Sequence, residues 1–398
     1  MGWTISTTLP VGFLGPIRYM AAAYFTAALL VFARQVGPAV GRCWPLFMLP
    51  VLCAISAFWA ASVDEALRKS IGLALTGLVA AYVATRIPGR KILLAYFVAE
   101  MIAAVMSLAS NQIFEGAWMG IFGQKNFFAV NMFILYVCAA GITLDPENNR
   151  WLRRLALAVL PFAFFLVFMG KSGTTTLLVI GTTAVMFGQA FVWQPAARIP
   201  NARAFIILSL ATIVLITAYI ALGVLQIDPM KEILGALGKD STLTGRTILW
   251  DTAQQVMDEH PWTGLGPKGY WRPEHGAVYT ITAIVTGLEG ISSFSFHNSY
   301  FENGVNYGYP GFYATIVLST WACASAALNW LRNQSAVNAA FLVFALMIVL
   351  RSLSEADLSG EFGAMVMILF ISAGRKEHLA KRHIQGVAPS SATRQAGA

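Results

Sequence analysis

Eleven mostly apolar stretches run along the chain, and the short segments between them hold most of its charge. They cover Ile17–Phe32, Trp44–Ala60, Ile71–Thr85, Ile92–Ala109, Phe127–Leu144, Leu155–Met169, Thr174–Trp193, Ala204–Leu225, Tyr309–Leu328, Val337–Val349 and Phe362–Ala373. A helix of about 20 apolar residues spans a bilayer core. The pattern therefore predicts an all-α integral membrane protein with about eleven transmembrane helices.

One connection breaks the pattern. Residues 226–308 form a polar-rich loop too long to be structureless in a compact protein, so it should be partly helical. Within it Leu249, Ala253 and Val256 recur at i, i+4 and i+7, which predicts an amphipathic helix over Arg246–Glu259, capped by Thr244 and ended by Pro261. The chain then divides into eight spans over 1–225, the loop over 226–308, three spans over 309–373 and a tail over 374–398. The tail turns small and polar from Gln385 onward and reads as disordered.

Composition agrees with a membrane protein, with 57% of residues hydrophobic and only 12% charged. The net charge of +8 would suit nucleic acid, but the basic residues are spread over short connections, where they orient a membrane protein. Placing Arg34, Arg42, Arg86, Arg90, Lys91, Arg150, Arg153, Arg154, Arg198, Arg203, Arg332 and the basic tail in the cytoplasm leaves few near the short outer connections. The loop is then periplasmic and the C-terminus cytoplasmic, with the first span serving as insertion signal in place of a cleavable peptide. Cys43, Cys53, Cys138 and Cys323 lie in or beside spans without metal-ligand spacing and read as packing residues.

Two phosphate-binding patterns fail on context. Gly264 to Gly269 satisfies G-x-G-x-x-G, yet no strand precedes it and Tyr270-Trp271-Arg272-Pro273 stands where a helix should open. Gly170-Lys171-Ser172 resembles the end of a P-loop whose first glycine would fall on Phe165, inside a span. What remains is a polar set assigned to the outer side: Lys125, Asn126, Lys171, Ser172, Arg246, His297, Asn298, Arg351 and Glu355. Any one of them is compatible with an interfacial anchor. Together they suit phosphate departure, because guanidinium groups grip phosphate bidentately and a histidine can take a proton at neutral pH. Glu100, in mid-span, reads as a structural carboxylate despite its cost there.

These residues also fall into a familiar order. Thr242-Leu243-Thr244-Gly245-Arg246, with Trp250, Pro261, Gly264, Gly266 and Trp271, resembles the opening signature of the large periplasmic loop in the O-antigen ligase and polysaccharide polymerase superfamily. His297-Asn298 with Gly308 and Gly311 resembles its closing signature, and Gly120 to Asn126 and Ser354-Glu355 resemble motifs of the exopolysaccharide polymerase branch. Two positions depart from the wider pattern. Gly173 stands where many relatives have a basic residue, and Asn306 stands where ligase-like members often carry Glu.

The resemblance implies a metal-independent membrane glycosyltransferase of the bacterial inner membrane, needing no cofactor. Its donor is a polyprenyl-diphosphate-linked oligosaccharide, and its partners are membrane lipid, chain-length regulators and export proteins rather than nucleic acid. His297 is then the general base and Arg246 holds the diphosphate. Lys125, Lys171, Arg351 and Glu355 line the substrate site, with Asn298 orienting the imidazole or a sugar hydroxyl. The alternatives are ligation of O-antigen to lipid A core, and transport of lipid-linked glycan. Transporters place polar groups at mid-membrane, often in repeated halves, and neither feature is visible here.

Overall fold

The computed structural model describes residues 15–220, 245–272 and 295–375. Thr244, the middle of the long loop and the tail from residue 376 lie outside the described residues, and with them the capping and disorder expectations. The helices are α1 (Gly15–Val31), α2 (Ala33–Arg42), α3 (Met48–Ser56, after a 3-10 turn at Trp44–Phe47), α4 (Val63–Arg86), α5 (Gly89–Ser110), α6 (Lys125–Leu144), α7 (Arg150–Met169), α8 (Gly173–Gly188, continued through a π turn to Ala196) and α9 (Ala202–Ala218). After the loop's first half come α10 (Arg246–Glu259), α11 (Ser299–Arg332), α12 (Ala336–Ser352) and α13 (Ala364–Gly374). A hairpin of two-residue strands, Ile113–Phe114 with Ala117–Trp118, stands before α6 and is the one departure from all-α among the described residues.

Each predicted apolar stretch overlaps a helix among the described residues. Six helices, α4 to α8 and α11, are long and apolar enough to cross a membrane, while Met20–Val31, Trp44–Ser56, Ala202–Thr217, Ala336–Ser352 and Ala364–Gly374 are shorter apolar helices. The outer surface has the same character: Phe164, Phe165 and Phe168 on α7 and Phe205, Leu208, Ile213 and Leu215 on α9 are exposed. A helix apolar on all sides, as α9 is, needs an apolar surrounding. The protein is a multi-pass membrane protein.

α6 is the bundle's axis, buried at every residue from Phe128 to Ile142 and packed against α5, α7, α8 and α12. Local capping fixes where the helices begin. Ser62 Oγ accepts from the Glu65 amide, so α4 starts eight residues before the apolar stretch does, in a capping-box sequence with Asp64 and Glu65 in its first turn. Asn298 does the same for α11, which begins at Ser299 and not at Tyr309.

α11 is kinked where the loop was expected to end. Gly308 is non-helical (φ 69, ψ −164) and Pro310 has no N–H to return to the Asn306 carbonyl. The Tyr309 amide turns aside to the Pro261 carbonyl at 2.8 Å, so the Val305 carbonyl also loses its helical donor. Both are satisfied from the glycine turn after α10, where Leu265 N donates to Val305 O and Gly266 N to Asn306 O, each at 2.9 Å. This is what the G-x-G-x-x-G run does: its amides clasp a helix kink instead of a phosphate. The approach is close enough that a Cβ on Gly308 would lie 2.5 Å from Pro261 O, and one on Gly264 2.5 Å from the Asn306 carbonyl carbon. Gly308→Ala combines that clash with a positive φ and should cost at least about 1–3 kcal/mol. The check is thermal unfolding in detergent, where wild-type stability would mean that the clasp is not needed.

Candidate functional site

The predicted amphipathic helix forms as α10, with Gly245 as its N-cap. Its stripe Leu249, Ala253 and Val256 packs with Tyr270, Phe296 and Val305 into a small apolar core of its own, bordered by Trp250, Leu265, Trp271 and Phe301. That core docks Arg246, at the first position of α10, beside the segment leading into α11.

Four bonds frame His297. Trp250 Nε1 donates to Phe296 O at 3.1 Å, Phe296 N donates to Glu302 Oε2 at 3.0 Å, and Asn298 Oδ1 accepts from the amides of Tyr300 and Phe301. Between these clamps His297 adopts φ 49, a conformation uncommon for a residue with a side chain and concentrated at functional sites.

Glu355, in the connection after α12, lies at the centre of the cluster. Its Oε2 is 3.2 Å from His297 Nδ1, and its Oε1 accepts from Arg246 at 3.3 Å and from Asn126 Nδ2 at 2.9 Å. Its backbone carbonyl accepts from Ser299 Oγ at 2.8 Å. The side chain is 14% exposed, against 13% for Arg246 and 29% for His297. Burial alone would raise the Glu355 carboxyl, but the His297 hydrogen bond and the charges of Arg351 and Arg246 outweigh it and hold the group below its ordinary value. Glu355 is thus an anion at neutral pH that can fix the imidazole with its proton on Nδ1, leaving Nε2 as the basic nitrogen.

The other expected residues fall around this centre in different ways. Arg351 is 1% exposed; its Nε donates to Asp357 Oδ2 at 2.6 Å and its guanidinium also reaches Thr175 Oγ1 at 3.4 Å. Burial pushes the Asp357 carboxyl up, and Arg351 opposes the shift. Arg351 therefore stands behind Glu355, paired within the protein, and its place in the cluster is one of support. Asn298 differs from expectation: its oxygen caps α11 and its amide donates to Leu353 O at 3.1 Å, so it positions the segment rather than the imidazole. Lys125, the first residue of α6, and Lys171, at the end of α7, are exposed at the rim. Lys171 Nζ rests 3.5 Å from Glu115 O on the hairpin, and the next residue, Ser172, reaches Thr175 Oγ1 at 3.0 Å.

Asp357 and Thr175 carry no sequence signal of their own. A buried arginine demands an acidic partner, but only the structure shows that Arg351 is buried. Glu100 is fully buried within α5, beside Tyr96 and Cys138. Among the described residues no group of His, Cys, Asp and Glu could hold a metal ion.

This arrangement places a carboxylate-held imidazole beside a guanidinium, with two lysines at the rim. A family model described as O-antigen ligase matches residues 156–316, which include Arg246, His297 and Asn298. The chain is also 26% identical over 362 residues to the exopolysaccharide production protein ExoQ of Rhizobium meliloti (strain 1021), covering 87% of this chain and 80% of that protein. Both matches support the O-antigen ligase and polysaccharide polymerase superfamily, exopolysaccharide branch. The similarity supports a function in polysaccharide biosynthesis of the polymerase or ligase type. Lys125, Arg351 and Glu355 lie outside the matched stretch, so the cluster joins residues of the family region to others on both sides of it.

Proposed function

We propose that the protein joins polyprenyl-diphosphate-linked oligosaccharide repeat units into exopolysaccharide on the periplasmic face of the bacterial inner membrane. The observation that carries this reading is the contact of one carboxylate, Glu355, with both His297 and Arg246. His297 Nε2 takes the proton of an acceptor hydroxyl as its oxygen attacks the anomeric carbon. The bond from that carbon to the diphosphate breaks, and the electron pair leaves with the lipid diphosphate. Direct displacement inverts the anomeric configuration.

Charge accounting assigns the cations. Arg351 and Arg246 are matched by Asp357 and Glu355, so the positive excess that meets a diphosphate comes from Lys125 and Lys171. Arg246 donates only one of its five N–H groups to Glu355 and stabilises the developing charge with others. Arg246→Lys keeps the charge but loses the planar fork, and should lower turnover at least about tenfold without loss of inserted protein. Near-normal turnover in a single-donor assay would remove Arg246 from the leaving-group site.

The decisive experiment supplies purified protein in lipid with one defined lipid-linked repeat unit and follows product length on gels. A ladder of longer lipid-linked chains, formed without an ion gradient and undiminished by excess EDTA, is the expected result. Strict dependence on added magnesium or manganese would show a metal site, with Asp228, Asp240 and Glu289 the first residues to test. The relative's name favours exopolysaccharide, whereas the matching family model favours ligation. A deletion strain that accumulates long lipid-linked polymer and lacks O-antigen on its lipopolysaccharide would establish the ligase reading instead.

A further inference from the structure

A basic cavity lies at the end of the bundle away from the catalytic cluster. It is about 270 Å³ and is lined by Arg42, Arg332, Arg375, Trp321, Ser325 and Asn329, with Cys43, Leu328 and the end of α13 completing its wall. The catalytic cluster stands at the N-terminal end of α11 and Arg332 at its C-terminal end, 34 residues or about 50 Å along the helix. The cavity therefore opens on the membrane face opposite the cluster, and its arginines take no part in the reaction proposed above.

The cavity wall is graded. Trp321, Ser325, Leu328, Asn329 and Arg332 recur at i, i+4, i+7, i+8 and i+11, which puts them on one face of α11. That face runs from an indole through a hydroxyl to an exposed leucine and an amide side by side, and then to a guanidinium at the helix end. Arg42 ends α2 and Arg375 follows α13, so three helices bring their arginines to one place. Arg42 and Arg332 are exposed, and none of the lining residues is acidic. Arg375 is built in: it is 7% exposed, its guanidinium lies 4.4 Å from the Phe341 ring centroid, and its carbonyl accepts from Asn329 Nδ2 at 2.6 Å.

Neutralising helix dipoles does not account for this many charges. Three helix C-termini present about half an elementary charge each, and three guanidinium groups exceed that sum about twofold. The volume is also below the roughly 300–1,000 Å³ of pockets for drug-sized ligands, so it suits a headgroup and not an oligosaccharide. An indole toward mid-membrane and an exposed leucine beside the polar groups, with arginines at the surface, match a molecule that has acyl chains alongside and a phosphodiester above. Basic pockets between transmembrane helices hold anionic headgroups in this way.

We infer that the cavity bounded by α2, α11 and α13 binds the phosphate headgroup of an anionic phospholipid in the leaflet opposite the catalytic site. The test uses full-length protein in detergent, titrated with phosphatidylglycerol, phosphatidylcholine or inorganic phosphate, and reads lipid retained by native mass spectrometry together with the thermal shift. Phosphatidylglycerol should be retained and stabilising, and the other two should not. Arg42→Ala/Arg332→Ala should lower retention at least fivefold, as should Ser325→Phe, which fills the cavity and keeps every charge. Arg198→Ala, which removes one exposed cation outside the cavity, should leave retention at the wild-type level. Equal retention by wild type and both cavity variants would overturn the assignment, as would an equal shift from inorganic phosphate alone. Circular dichroism and monodisperse elution confirm that each variant is folded. Lipid retention is read without turnover, so its failure leaves the polymerase reading intact and the reverse also holds.

Discussion

Replacing His297 with alanine should lower polymer formation by about 10²–10⁴-fold, the range of a general base, while leaving the protein in the membrane at its normal level. The local structure explains the second half of that expectation. The bonds that hold this segment run through its neighbours, from Trp250 and Glu302 to Phe296 and from Asn298 to the start of α11, and alanine removes none of them. Alanine retains the φ of 49 with its modest strain, so some loss of stability is expected but not loss of the fold. The measurement is initial rate per inserted molecule with a single lipid-linked donor. A rate near wild type would take His297 out of the mechanism. Glu355 would then be the next candidate base, ahead of Glu302, whose carboxylate already holds the Phe296 amide.

The helical framework was legible because lipid imposes a simple rule on it: each span must be apolar for its whole length. α10 was legible for a different reason, since Leu249, Ala253 and Val256 mark a buried stripe by their spacing alone. The start of α11 was missed by ten residues because its first turns are polar and pack against α10 and the glycine turn instead of lipid. Gly308 and Pro310 were visible in the sequence, yet their meaning depends on where the freed carbonyls of Val305 and Asn306 find donors, which is the turn some forty residues earlier. The candidate site was legible as a set of residues but not as a hierarchy. Glu355 reaches partners 58, 109 and 229 positions away, and no local pattern identifies it as their common acceptor. The sequence alone puts Arg351 with the substrate-site residues, because its burial, and so its pairing with Asp357, is a property of the packed bundle.

The hub makes Glu355→Gln the sharper experiment, with an expected loss of about 10²–10⁴-fold in turnover. Glutamine keeps the shape, and its carbonyl can still accept from Asn126. It removes the charge that faces Arg246, and its amide can donate to Nδ1 of the imidazole. Donation there moves the ring proton to Nε2, the nitrogen that must accept the acceptor hydroxyl's proton, so the base is held in the wrong tautomer. Glu355→Asp keeps the charge one methylene short and should retain more activity than Gln. A merely structural role for Glu355 predicts the opposite pattern, with lower stability and an unchanged rate per folded molecule. Acid titration separates the two further. The folded carboxyl lies below its unfolded value, so its contribution to stability is complete above the ordinary glutamate pKa of about 4.3 and is lost as pH falls through the lower folded value. Thermal unfolding of the wild type should show that acid limb, and the Gln variant should lack this component of it. Wild-type turnover in Glu355→Gln would mean that the carboxylate does not set the imidazole's tautomer, and the reading of His297 as a carboxylate-held base would fall with it.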